Sequence, residues 1–320
     1  MKPRGCTVRP AGQPAGQALP RRTARPACPS NFAIPLKRLS SIRGQARCTD
    51  LLWLCLLAVL AVPLPAQIDA ANEFLHVQRG ELPVILTAPH GGSLVIPGVP
   101  KRKGPEGEST SGKFVTGQDT GTFELATGTA KRIEELTGKK PYFVASKAHR
   151  QYMDPNRPET EGVEHPKAQV VHAAFHGQVR EFVDELRKKF PQGALLLDIH
   201  GQASSADTIF RGTQNGTTVM KMVGQHGVVA ITGQHSILGY LAAKGVNVSP
   251  TNTPPGTPPE TRSFAGGHIV RTYGSHTTNG VDAIQLEFGS VFRADLKKRE
   301  ETAKWLAEAI QAYTEKYLAR

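Results

Sequence analysis

The chain has no cysteine beyond Cys55; its four, Cys6, Cys28, Cys48 and Cys55, all stand near the start of a 320-residue sequence. A domain built from the residues after them contains no disulfide and no thiolate ligand. Any transition metal there must be held by histidine and carboxylate, the donor set of catalytic rather than structural zinc. Long apolar runs are scarce too. The uncharged run Leu51–Val62 is too short to cross a bilayer comfortably. Acid is scarce at the start: residues 1–50 carry ten Lys and Arg against the single Asp50. That is +9 of the formal +12, which leaves +3 for everything after it. The basic balance therefore belongs to the leader. No basic stripe interleaved with aromatics follows it, so nucleic-acid binding is excluded as the main reading.

A positive region ahead of a short apolar core has the pattern of a signal peptide. Residues 1–66 are expected to be a basic leader and signal peptide that is removed. Residues 67–320 are expected to form a single catalytic α/β domain, periplasmic or secreted, with no stable membrane insertion after cleavage. A retained membrane anchor is the alternative. The positive region is longer than export needs, which points to a translation start downstream of Met1.

The remaining residues, about 250, suffice for one large α/β domain, and they contain no internal repeat. Three apolar runs end in chemistry. Gly193–Gly201 carries Asp198 and His200 at its end, Leu82–His90 delivers His90 into Gly91-Gly92, and Val281–Glu287 delivers Glu287. Continuous apolar runs bounded by Gly and Pro read as strands buried on both faces. In open α/β sheets the carboxyl ends of the strands are where ligands bind. Pro141–Ser146 reads as a further strand, and helices are expected over Thr120–Leu136, Pro166–Phe190 and Asp295–Leu318. In the second of these Val171, Phe175, Val179, Phe182, Leu186 and Phe190 recur at spacings of three and four, an apolar stripe for the sheet. Leu306, Ile310, Tyr313 and Tyr317 play the same part in the last helix. Pro250–Pro259 reads as a surface loop. Strand and helix alternation predicts a mostly parallel sheet covered on both faces.

Two histidines and a carboxylate on one sheet edge point to a metal hydrolase. Simpler readings stand beside each residue. His90 alone is a hydrogen-bonded turn residue as readily as a ligand, although Gly91 and Gly92 let backbone approach a bound group. Asp198, two residues before His200, shares its face and is placed to orient its imidazole; otherwise it caps a backbone amide. The spacing His-x-x-Glu is absent after His90, so an acidic ligand must come from elsewhere. Asp119 is a candidate, with a helix N-cap as its other reading; Glu106, Glu108 and Glu124 are weaker. His172 and His176 lie four apart on a helix but lack the Glu of His-Glu-x-x-His, and read as a solvated or partly packed face. Arg150, Asn156 and Arg157 share a turn-rich loop in which guanidiniums suit an acidic substrate. A salt bridge from Asp154 to either arginine is the alternative. Arg271 adds a third guanidinium after Gly266-Gly267.

Taken in order, Pro89-His90-Gly-Gly, Asp119 with Leu125, Arg150-x-x-x-Asp154-x-Asn156-Arg157-Pro158, Asp198-x-His200, Gly266-Gly267-x-Ile269-x-Arg271-x-Tyr273-Gly274 and Gln285-Leu286-Glu287 resemble the N-formylglutamate amidohydrolase family. The resemblance covers nearly all of residues 67–320. It implies a zinc-dependent exopeptidase-like fold, a three-layer αβα sandwich with a mostly parallel or mixed central sheet related to the zinc carboxypeptidases, with one Zn2+ per chain on His90, Asp119 and His200. It further implies that Glu287 is the catalytic carboxylate and that Asn156 and Arg157 meet substrate carboxylate or the developing oxyanion. Arg150 and Arg271 then bind the carboxylates of a small acidic N-acyl amino acid, cleaved to formate and glutamate in the N-formylglutamate case. An exported zinc peptidase acting on γ-glutamyl or cell-wall peptides is the alternative, and a non-catalytic binding protein on the same scaffold a further one. The leader makes a first prediction: amino-terminal sequencing of the protein from the cell envelope should begin near Gln67, and an intact leader there rules cleavage out.

Overall fold

The computed structural model describes residues 73–104, 112–251 and 259–318. The expected leader and its cleavage site, Glu106, Glu108 and most of the Pro250–Pro259 loop lie outside them. Among the described residues no helix is long and apolar enough to cross a membrane.

The apolar runs form strands, and shorter segments complete one sheet. In chain order these are β1 (Leu75–Gln78), β2 (Val84–Ala88), β3 (Tyr142–Ser146), β4 (Leu195–Gly201), β5 (Thr208–Gly212), β6 (Asn247–Ser249) and β7 (Asp282–Phe288). The sheet order is β1-β3-β2-β4-β7-β5-β6. β3, β2, β4 and β7 run parallel. β1 pairs antiparallel with β3, β5 antiparallel with β7, and β6 parallel with β5. Every residue of β2, β3 and β7 is buried, as strands covered on both faces require. The outer strands β1 and β6, and β5 beside β6, were not foreseen from the sequence, being short and weakly patterned.

Six helices matter for the site: α1 (Thr122–Thr137), α2 (Pro166–Lys189), α3 (Met220–His226), α4 (Ile237–Ala243), α5 (His268–Tyr273) and α6 (Leu296–Tyr313). α2 starts with Pro166 at its first position and with the His165 side chain accepting from the Lys167 amide. Arg187, Lys188 and Lys189 close it, favourably placed against the helix dipole. α1 begins two residues later than expected, behind Gly121 at φ 84°. A Cβ at Gly121 would stand 2.2 Å from the carbonyl oxygen of Arg293, so glycine serves there for both φ and space.

Two core layers sandwich the sheet. On one face Leu125, Ala126 and Ile133 of α1 and Leu306 and Ile310 of α6 pack on Leu86, Leu197 and Leu286. On the other, Val171, Phe175, Val179 and Phe182 of α2 and Ile269 and Val270 of α5 pack on Ile85, Val144 and Leu196. The fold is thus α/β, a mixed sheet with helices on both faces. From β2 the chain crosses by α1 to β3 on one side, then by α2 to β4 on the other. Right-handed crossovers in opposite directions put their helices on opposite faces, which is the observed arrangement. The order therefore reverses between β2 and β4, and a crevice opens at their carboxyl ends.

The apolar stripe of α2 is the seal over the second face. Phe175 has no solvent exposure, so Phe175→Ala leaves a cavity beneath the sheet. Urea unfolding should show a loss of about 3–5 kcal/mol. A loss below about 1 kcal/mol would mean that the stripe does not face the core.

Candidate metal centre

Alternation along the strands delivers the polar side chains to one place. On β4, Leu195, Leu197 and Ile199 belong to the α1 layer and Leu196 to the α2 layer. Asp198 and His200 continue the face of Leu196. In the parallel register Asp198 lies beside Gln285 and His200 beside Glu287 on β7, while Thr87 on β2 lies beside Asp198. His90 follows β2, so the two histidines flank the point where strand order reverses. The Asp119 amide donates to the His90 carbonyl at 3.0 Å, and this bond brings the loop before α1 to the same crevice. Gly91 and Gly92 serve packing: a Cβ on either would stand 2.3 Å from the backbone of Phe123 or Lys147.

His90, Asp119 and His200 form a buried cluster whose potential ligand atoms all lie within 4.8 Å of one another. The Nδ1 atoms of both histidines are each 3.4 Å from Oδ2 of Asp119. That is long for N–H···O contact. It matches the edge of about 3.3 Å expected between ligands of a tetrahedral ion with bonds of about 2.0–2.1 Å. The other ring nitrogens are taken. Nε2 of His90 bonds Asp154 at 2.6 Å and Nε2 of His200 bonds Asp198 at 2.8 Å. Nδ1 of His90 is buried without a hydrogen-bond partner among the described residues. Such an orphaned nitrogen, opposite a carboxylate, fits a metal ligand.

The carboxylates are themselves fixed. Asp154 accepts from His90, from the Asn156 amide at 2.9 Å and from Nε of Arg150 at 2.8 Å, with Arg102 at 3.6 Å. Asp198 accepts from Thr87 at 2.7 Å as well as from His200. Asp119 does not cap α1: its Oδ2 accepts from the Gly201 amide at 3.0 Å. Burial alone would raise the pKa of Asp119, but the imidazoles of His200 and His90 hold it well below the carboxylate range. Burial would lower that of His200, but Asp198, Asp119 and Glu287 raise it well above the usual histidine value. The four carboxylates of Asp119, Asp154, Asp198 and Glu287 are buried together, with Arg150 and Arg102 paired to Asp154, Arg150 near Asp119, and Arg157 acting on Asp154 from farther off. A field that favours a proton on His200 equally favours a divalent cation between the ligands.

Glu287 is buried, and desolvation pushes its carboxyl up to about 7. His200 and Arg150 oppose that rise, while Asp119 and Asp198 add to it. Its Oε1 accepts from Nε2 of Gln285 at 2.8 Å, and Oε1 of Gln285 is held by the Gly267 amide at 2.7 Å. The Gly267 bond fixes the amide so that its NH2 faces the carboxylate. Asn156 is pinned by the Ile269 amide at 2.8 Å, with its Nδ2 3.3 Å from Nε2 of His200. The glycine at 267 is needed here, because a Cβ would stand 2.3 Å from Nδ2 of Asn156; the Gly266-Gly267 pair is a close approach rather than a loose joint.

The arginines divide. Arg150 is buried, on Asp154 and 3.8 Å from Oδ1 of Asp119, so the Asp154–Arg150 salt bridge is present. Arg157 donates to the carbonyls of Asn156 and Lys113, and Arg271 to that of Gly267. Arg157 also feels the charges of Asp154 and Glu161. His172 and His176 are packed: Nε2 of His172 meets the Arg157 carbonyl at 3.1 Å and Nε2 of His176 the Pro155 carbonyl at 2.9 Å. They clamp the loop that carries Asn156 and Arg157.

The orienting role of Asp154 toward His90 and of Gln285 toward Glu287 went unread in the sequence. The second was open to the same argument that paired Asp198 with His200, since Gln285 and Glu287 are also two apart on one strand.

No family model matches the chain, and no curated protein matches it. Among solved structures, the N-formylglutamate amidohydrolase of Ralstonia eutropha JMP134 aligns over 76% of this chain and 98% of its own, at 15% identity and TM-score 0.49. A gene product of Agrobacterium tumefaciens aligns over 78% of this chain and 97% of its own, at 14% identity and TM-score 0.50. At such identity the likeness is one of fold.

The clamp carries a pH dependence. Burial first, then His172 and His268 beside it, lower the pKa of His176 to about 3. The unfolded value is about 6.5. The stability that neutral His176 contributes is fully present above pH 6.5 and drains away as pH falls toward 3. His176→Phe keeps a ring and loses both the hydrogen bonds and the titration. At pH 7 it should be less stable by about 1–2 kcal/mol, and urea titrations should show that gap narrowing by pH 4.5. A gap constant with pH would remove His176 from the acid response.

Proposed function

We propose that the chain is a zinc-dependent amidohydrolase that cleaves the amide of a small acidic N-acyl amino acid such as N-formylglutamate. The observation that carries the reading is the pair of Nδ1 atoms equidistant from Asp119, with a buried carboxylate, Glu287, on the strand position next to His200. His90, Asp119 and His200 hold the metal, and Asp154 and Asp198 fix the tautomers that leave both Nδ1 atoms free to ligate. Zinc bound there supplies Lewis acidity toward the scissile carbonyl and the attacking water.

The chain's own groups do the rest. Glu287, poised near neutrality, takes the proton of the water and returns it to the leaving nitrogen. Gln285 holds one of its oxygens and leaves the other for that transfer. Asn156 and Arg157 meet the developing negative charge of the tetrahedral state. Arg157 and Arg271, whose side-chain hydrogen bonds go to backbone carbonyls, are the groups for substrate carboxylate, since a planar guanidinium binds it bidentately. Arg150, shared by Asp154 and Asp119, is assigned to holding the ligand set.

The test is an assay of the zinc-loaded protein on N-formylglutamate, other acyl amino acids and γ-glutamyl peptides. Formate release from N-formylglutamate supports the reading; amino acids released only from γ-glutamyl peptides select an exported peptidase. Turnover of neither favours a binding protein. Two variants probe the parts. His200→Ala should lose stoichiometric zinc. Glu287→Gln should fold and keep zinc while kcat falls by about 10²–10⁴-fold. Near-normal turnover of that variant would remove Glu287 from the mechanism, and loss of its zinc would make it a ligand.

A further inference from the structure

Arg293 lies outside every motif singled out in the sequence and makes no ion pair among the described residues, yet it is buried at 9% exposure. All of its side-chain bonds go to backbone carbonyls. Nε donates to Phe288 at 3.0 Å, Nη2 to Gln202 at 3.1 Å and Nη1 to Thr120. Each acceptor is a near neighbour of a site residue. Thr120 follows Asp119, Gln202 stands two after His200, and Phe288 follows Glu287.

The surroundings are shaped for this side chain. A Cβ at Gly201 would stand 2.6 Å from Nε of Arg293, and one at Gly121 would collide with the Arg293 carbonyl. Gly201 therefore presents bare backbone to the guanidinium while its amide donates to Asp119. The Gln202 amide also donates to the Phe288 carbonyl at 3.0 Å. Three segments far apart in sequence meet at one planar, five-donor group, whose rigid fork fixes their separations as a lysine's single ammonium does not.

We infer that Arg293 is a positioning residue that registers Asp119, His200 and Glu287 against one another and thereby sets the affinity of the metal site. This rests on the metal reading above. Groups that hold ligands in place typically account for 10–100-fold in metal affinity, and a site loosened by a fraction of an ångström loses its function.

The experiment measures zinc affinity by competition with a chromophoric chelator, beside thermal melting of the metal-free protein. The proteins are the unsubstituted chain, Arg293→Lys, and Arg293→Ala with and without added guanidinium. Arg293→Lys is expected to fold and to bind zinc about 10–100-fold more weakly, and guanidinium is expected to restore part of the affinity lost in Arg293→Ala. A folded Arg293→Lys with unchanged zinc affinity and a lowered Tm overturns the inference, since the arginine would then only stabilise the domain. Failure of both variants to fold overturns it in the same way. Normal zinc affinity with lost hydrolysis in Glu287→Gln leaves the inference standing if Arg293→Lys still weakens zinc; an unsubstituted chain that binds no zinc sinks both.

Discussion

Three aspartates and a glutamate buried at one sheet edge are the constraint on which the rest of the structure depends. A buried carboxylate without partners is several kcal/mol out of balance, so every oxygen must be answered. Asp154 draws Arg150, Arg102, His90 and the Asn156 amide to itself, and Asp198 draws Thr87 and His200. These demands hold the loop around Asp154 against β2 and hold β2 against β4. What they leave is Nδ1 of His90 without a hydrogen-bond partner among the described residues, Nδ1 of His200 3.4 Å from Asp119, and a concentration of negative charge at one point, and a divalent cation answers all three together.

Topology explains why these groups meet. A parallel strand covered on both faces offers chemistry only at its ends, and the crevice opens where successive crossovers diverge. Here α1 and α2 leave on opposite faces, so β2 and β4 are neighbours whose outgoing loops part. His90 and His200 stand on the two sides of that parting. β7 joins β4 on its far side in exact residue register, which sets Glu287 next to His200 without any loop to position it. Glu287, the base of the proposed mechanism, is thus held by sheet hydrogen bonds, the stiffest support available, and is hydrogen-bonded by Gln285 on the same face.

Much of this was legible in the sequence because period and burial speak locally. The runs ending in His90, His200 and Glu287 read as buried strands, the stripe of α2 as a core face, and Asp198 as the partner of His200. Asp119 was harder. Its position before a helix reads as a cap, and only the Asp119 amide bond to the His90 carbonyl, between segments that no local pattern links, turns its side chain to the histidines. Arg150 and Arg157 look alike in one loop, yet burial puts the first on the internal carboxylates and leaves the second on carbonyls. Sequence gives residue types and spacing along the chain, whereas this division is made by what lies across the crevice. Strands β1, β5 and β6 escaped for a different reason: three to five residues of mixed polarity carry too few alternations to register.

The parts of the site differ in how they are supported, and the difference follows their tasks. The metal ligands and Glu287 are tied to strands and to the backbone hub at Arg293. Asn156 and Arg157 instead ride on a loop whose carbonyls are held by His172 and His176 of α2. Burial comes first in opposing a charge on either imidazole; His172 and His268 add to it at His176, and Arg102 at His172. A neutral N–H donor to a carbonyl positions the loop without adding positive charge beside Arg157 and Arg271, which lysine or arginine in the same place would do. The two guanidiniums thus keep their attraction for an anion, and α2, whose opposite edge seals the core, links the packing of the domain to the loop assigned to the substrate in the proposed function.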